Sequence, residues 1–132
     1  MPEEMSERAR RAIAYGDRMA AIVNRTSGET WDEALLPLID ASRFVRRGNE
    51  RTEMDWPAYC AMLEQWAGHS GKYEKTLHRV SEAGNLVYLD LDERATHQDG
   101  SVGSLRSISI YEFDDADRIV AVDVIMGFHQ PS

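Results

Sequence analysis

The single cysteine, Cys60, excludes an internal disulfide, so the chain reads as a protein of a reducing, cytoplasmic compartment. No run of ~18 apolar residues occurs, so no membrane span is expected, and nothing like the apolar core of a secretory leader follows the charged start MPEEMSERARR. Basic residues are few, with 15 Lys and Arg against 23 Asp and Glu, a net charge of −8. The short basic patches Arg8–Arg11 and Arg43–Arg51 are flanked by acid, so neither nucleic acid nor an anionic membrane is an expected partner. Also lacking are a Gly-rich phosphate loop, a dinucleotide fingerprint and a Ser or Cys nucleophile signature. Asp90, Asp92, His97 and Asp99 lie close in sequence, but strand alternation divides them between two faces, so no metal site is expected. Any chemistry here is expected to run without a cofactor.

What is present is enough for one domain over residues 1–132, with 42% hydrophobic residues and no internal repeat. Ala12, Tyr15, Met19, Ile22 and Val23 recur at helical spacing, which predicts a helix over 6–24 closed by the turn formers Asn24 to Gly28. Thr30 and Glu33 form a capping box that opens a short helix to about Ile39, weakened by Pro37. Ser42–Arg47 predicts a first strand and Gly48–Glu53 an exposed loop. Asp55 caps a third helix whose stripe is Trp56, Tyr59, Cys60, Leu63 and Trp66, with Pro57 in its first turn and Gly68 at its end. The period then falls to 2: strands Tyr73–Ala83 and Leu86–His97 meet at Gly84-Asn85, and Leu105–Phe113 and Arg118–Phe128 form a second hairpin. Helices followed by long strands predict an α+β fold, about three N-terminal helices packed in a strongly curved, mainly antiparallel sheet.

Strand parity picks out one residue. Val87, Leu89 and Leu91 share an apolar face, and the same alternation carries the carboxylate of Glu93 onto it. The facing strands bring Leu105, Ser107, Ser109 and Tyr111, and then Val120, Val122, Val124, Met126 and Phe128. On the Tyr73–Ala83 strand, His78 shares a face with Thr76, an orientation that a bulge would invert. Glu93, His78, Tyr111 and the serines Ser107 and Ser109 are thus expected to converge on an apolar cavity also lined by Leu91, Trp56, Val124 and Met126. Glu93 there is either a proton-transfer group or the partner of Arg43, which could equally hold a substrate oxyanion, unless the register slips after Asp92 and turns Arg94 inward instead. His78 is a candidate proton partner or a structural residue, Tyr111 a hydroxyl donor or a core ring, and Tyr15 a core ring. On the outer face, Ile108, Ile110, Ala121 and Ile125 surround Asp123; so apolar a face predicts a homodimer, with Asp123 bonded at or near the interface.

Leu38-Ile39-Asp40-Ala41, the strand opening Asn85-Leu86-Val87-Tyr88 and the closing hairpin Tyr111–Ile119 together resemble the nuclear transport factor 2-like superfamily, and within it the SnoaL-like small proteins. The resemblance implies a cone-shaped α+β barrel with an apolar ligand pocket at its open end, and dimerisation through the outer sheet face. It also tests two known activities. Where ketosteroid isomerases carry their acidic and tyrosine groups, this chain has Val45, Ser109 and Met19. Where limonene epoxide hydrolases carry an Asp-Arg-Asp triad, it has Leu91, Glu93 and Val124, so only the acid at Glu93 persists. The expected function is that of a cofactor-independent lyase, isomerase or hydratase acting on an apolar cyclic or aromatic small molecule. Glu93 would be the base, His78 its proton partner, and Tyr111 with Ser107 or Ser109 would hold the substrate oxygen. The alternative is a non-catalytic small-molecule-binding or dimerisation module of the same fold. A protein-recognition domain would instead fill the cavity with Trp56, Trp66, Met126 and Phe128. The segment His129 to Ser132 is a candidate contributor to the pocket mouth.

Overall fold

The structure, a computed structural model, describes residues 5–128, so the segment His129 to Ser132 lies outside the described residues. The elements run α1 (Glu7–Val23), α2 (Trp31–Leu35) with a 3-10 turn at Leu36–Leu38, β1 (Val45–Arg47), β2 (Glu53–Met54), α3 (Trp56–His69), β3 (Ser70–Ala83), β4 (Leu86–His97), β5 (Val102–Phe113) and β6 (Ile119–Phe128). Each helix opens on a side-chain cap, because its first amides have no partner within the helix. Ser6 accepts from the Ala9 amide at 3.0 Å and Asp55 from the Ala58 amide at 3.0 Å. Thr30 and Glu33 close the expected capping box, at 2.9 and 3.1 Å. Pro37 falls in the 3-10 turn, where α2 stops.

The six strands form one sheet in the order β2-β1-β6-β5-β4-β3. All neighbours are antiparallel except β1 and β6, which run parallel. The helices cover one face of the sheet, so the fold is the expected α+β arrangement. Its inner layer buries Tyr15, Leu35, Phe44, Leu63, Val87, Phe113, Ile119 and Val122, each no more than 2% exposed. Bulges between Ser70 and Lys72, Leu77 and Arg79, and Glu112 and Phe113 bend the long strands around that layer.

Several expected boundaries move. α3 passes through Gly68 to His69, and β3 starts at Ser70 rather than Tyr73. Gly71 permits this start: a β-carbon there would lie 2.9 Å from the Thr96 carbonyl oxygen, so only a bare backbone fits against β4. A two-residue strand, β2, interrupts the expected 48–53 loop at its end. Ser42 and Arg43 sit in a turn before β1 rather than in it. On β6 the bulge sets Ile119 opposite Phe113 on the inner face, the place expected for Val120.

Two asparagine side chains complete the hydrogen bonding of strand backbone that has a neighbouring strand on one side only at that point. The Asn24 amide, closing α1, donates to the Tyr73 carbonyl at 2.8 Å and accepts from the Tyr73 N–H at 2.8 Å. Asn49, just past β1, does the same to Met126, at 2.9 and 2.7 Å.

Candidate active site

Glu93 continues the inner face of β4 begun by Val87, Leu89 and Leu91, which are 1%, 3% and 8% exposed. It stands opposite Leu105 on β5 and Lys75 on β3. Two hydroxyls reach its carboxylate from the flanking strands. The Tyr73 phenol donates to Oε1 at 2.6 Å. The Ser107 hydroxyl donates to Oε2. These are diagonal neighbours on the same face, since Tyr73 pairs with Ala95 and Ser107 with Leu91. A half-buried carboxylate needs this, because each unmet hydrogen bond to a charged group costs roughly 1.5–3 kcal/mol. The two donors offset that cost and fix the carboxylate's plane.

Around Glu93 the inner face carries tyrosines from four elements: Tyr15 of α1, Tyr59 of α3, Tyr73 of β3 and Tyr111 of β5. Burial, first of all, raises the pKa of every one. The Glu93 charge raises Tyr73, Tyr111 and Tyr59 further, while the Arg46 guanidinium opposes the rise at Tyr59. All four therefore stay neutral phenols at physiological pH, able to donate. Tyr15 and Tyr111 meet edge to face at 5.5 Å. The Tyr15 hydroxyl is buried with no hydrogen-bond partner among the described residues. Trp66 packs edge-on against Tyr73 at 5.3 Å. Arg46 lies over the ring of Tyr59, 5.4 Å from its centre.

Ser107, Ser109, Leu91 and Tyr111, all buried, and the half-buried Val124 share this face as expected. Met126, half-buried, pairs with Ser107. His78 does not join them. The register places Thr76 opposite Asp92 and Lys75 opposite Glu93, so the inner positions of β3 are Tyr73, Lys75 and Leu77. His78 falls in the bulge, exposed on the outer face, with Nε2 2.8 Å from Asp92 Oδ2. Arg43 is likewise remote from Glu93. It donates to Asp40 at 2.8 Å and to Asp114 at 2.6 Å, joining the turn before β1 to the β5–β6 hairpin. Trp56 is held in the helix layer, its indole N–H on Asp32 at 2.8 Å and its ring edge-on to Phe44 at 5.3 Å. Asp123 accepts from Arg47 of the same chain at 2.8 Å. Tyr73, Tyr59 and Arg46 are the site residues that sequence reasoning passed over; Tyr59 alone carried a signal, its place in the helical stripe.

Among the described residues, no group of three or more His, Cys, Asp and Glu is arranged around a metal-sized point. Burial pushes the Cys60 thiol up to about 11, so it is not a nucleophile at neutral pH. Two clefts, of about 410 and 310 Å³, open on the outer side of the sheet. The first lies over Tyr88, Asp90 and Ile108; the second lies over Thr76, Asp92 and Arg94 and has Glu93 and Leu105 in its lining as well. No helix among the described residues is long and apolar enough to cross a membrane.

No family model and no curated protein sequence matches the chain. Solved structures match it in fold. IdmH, a candidate polyketide cyclase from Streptomyces antibioticus, superposes with a TM-score of 0.70 at 16% identity, over 92% of this chain and 92% of its own. A candidate SnoaL-like polyketide cyclase from Jannaschia sp. CCS1 gives a TM-score of 0.71 at 8% identity, over 93% of this chain and 90% of its own. An NTF2-like protein of unknown function from Burkholderia pseudomallei gives 0.71 at 13% identity, over 95% and 92%. At these identities the likeness is one of fold: the chain has the NTF2-like, SnoaL-like α+β architecture.

Proposed function

We propose that this protein is a cofactor-independent enzyme of the isomerase, lyase or cyclase kind, moving a proton on an apolar cyclic or aromatic small molecule. The observation that carries the reading is the Glu93 carboxylate held between the Tyr73 and Ser107 hydroxyls on an otherwise apolar face. A general base needs a fixed direction, and the two donors supply it. Neutral phenols such as Tyr111, Tyr59 and Tyr15 are suited to receive the negative charge that develops on a substrate oxygen when a neighbouring carbon loses its proton. Two of the solved structures that share the fold are named as candidate polyketide cyclases, and an aldol-type ring closure is one reaction that runs through such an enolate. The cleft of about 310 Å³ has Glu93 in its lining and offers a substrate an approach to that carboxylate.

The test is exchange of α-protons for deuterium in 2-tetralone in D2O, followed by NMR. The wild type is expected to accelerate exchange, and Glu93→Gln to slow it by about 10²–10⁴-fold with the fold intact. Exchange no faster than in buffer, or a fully active Glu93→Gln variant, rejects the proposal. One observation favours a second reading, a non-catalytic binding module: both Glu93 oxygens already have partners within the chain. In that case Glu93→Gln changes stability and exchange is absent from the start. The proposal extends to a homodimer through the outer sheet face, where Ile125 is 49% exposed and pairs with Ile108.

A further inference from the structure

β1 carries two adjacent arginines that alternate across the sheet. Arg47, on the outer side, donates to Asp123 at 2.8 Å and reaches Glu53 at 3.5 Å. Arg46 stands opposite Val122 and Met54 and points into the helix layer. Its guanidinium lies over Tyr59, and a β-carbon at Gly48 would come 3.1 Å from Nη1, so the bare backbone of Gly48 leaves that nitrogen its room. Its Nε is buried and has no hydrogen-bond partner, and no carboxylate among the described residues pairs with it.

This is an expensive arrangement in a chain with eight more acidic than basic residues. A buried N–H of a charged group left unmatched is destabilising, and a glutamate at a neighbouring position would have removed the penalty. Stacking on Tyr59 recovers only part of it. Arg46 also bears on the same phenol as Glu93, each acting on the Tyr59 hydroxyl with opposite sign. Tyr59 thus feels both the held carboxylate of Glu93 and a guanidinium whose Nε is left without a partner among the described residues.

We propose that Arg46 is the anion-binding residue of this site, and that its ligands are apolar cyclic or aromatic molecules carrying a carboxylate or an equally acidic oxygen. The anion sits on the Arg46 guanidinium, while the ring lies among the tyrosines. The inference rests on the proposed function for its location but is tested apart from it.

The probes are 2-naphthoate and its neutral isostere 2-naphthamide, titrated against the intact protein by tryptophan fluorescence at pH 7.5. The expected result is that naphthoate binds about tenfold tighter or more than the amide, as a charge-assisted contact should. Arg46→Met is expected to abolish that preference while still binding the amide. Its Tm without ligand is expected to match or exceed wild type, because an unmatched polar atom has been replaced by an apolar side chain. Equal binding of both probes by wild type, or a preference that persists in Arg46→Met, overturns the assignment. So does a lowered Tm with the preference kept, which makes Arg46 structural. Absence of binding by either probe overturns both this inference and the pocket it sits in. Naphthoate preference without 2-tetralone exchange sustains Arg46 and rejects only the proton-transfer reading.

Discussion

A carboxylate on an apolar sheet face is held there by whatever donates to it, and for Glu93 those donors come from two different strands. Tyr73→Phe removes one of them without changing the ring's shape. The expected loss is about 1–3 kcal/mol of unfolding free energy in urea, larger than for Tyr111→Phe, whose hydroxyl holds no charged group. This donor pair was only half legible in the sequence. Period-2 alternation gives each strand two faces but not which face is which. On β4 and β5 the apolar residues settled the phase, so Glu93, Ser107, Ser109 and Tyr111 were read correctly. β3 offered no such stripe, since it is exposed along most of its length. With its phase taken one residue out, Tyr73 was missed and His78 was turned inward. On the first strand the start was set too early, so Arg43 was read as a strand residue although it lies in the preceding turn, and Arg46 was passed over.

Between strands and helices, short polar segments set how elements meet. The turn after the 3-10 segment is organised by Asp40, which accepts from the Ser42 hydroxyl at 2.7 Å, the Ser42 N–H at 3.1 Å and Arg43 at 2.8 Å. The Ser42 hydroxyl foremost, then Arg43, lowers its pKa to about 2. A carboxyl lowered on folding stabilises the native state above its unfolded pKa of about 3.9, and that contribution disappears as pH falls toward the folded value. Asp40→Asn is therefore expected to be less stable than wild type at pH 6, with the gap closing between about pH 4 and pH 2. Urea unfolding at several pH values measures it; a gap constant over that range contradicts the assignment. Capping chemistry made α2 and α3 readable because a Thr, Asp or Pro at a helix start has one local meaning. Bulges have no such signature. The shift at Leu77–Arg79 and the start of β3 at Gly71 depend on how β4 packs alongside, which no local residue pattern specifies.

For the molecule as a whole, helices covering one side of the sheet leave the other side open, with Ile125 and Ile108 paired on it. If that side joins two copies, sedimentation velocity gives twice the chain mass, and Ile125→Glu returns the protein to a single chain, since a carboxylate there would be desolvated without a partner. A wild type that sediments as one chain removes the dimer. The overall architecture was the most legible level, because the change of period from 3.6 to 2 near residue 70 is a property of the entire chain. The two asparagines that grip Tyr73 and Met126 act at this level too. β3 ends the sheet on one side, and β1 is too short to run alongside Met126, so each spot would otherwise offer a free N–H and C=O to a stranger's strand. An amide side chain, with one donor and one acceptor, is the smallest plug that satisfies both. Asn24 and Asn49 thereby guard the protein against aggregation at two points of its rim, while the outer face stays free to choose its partner.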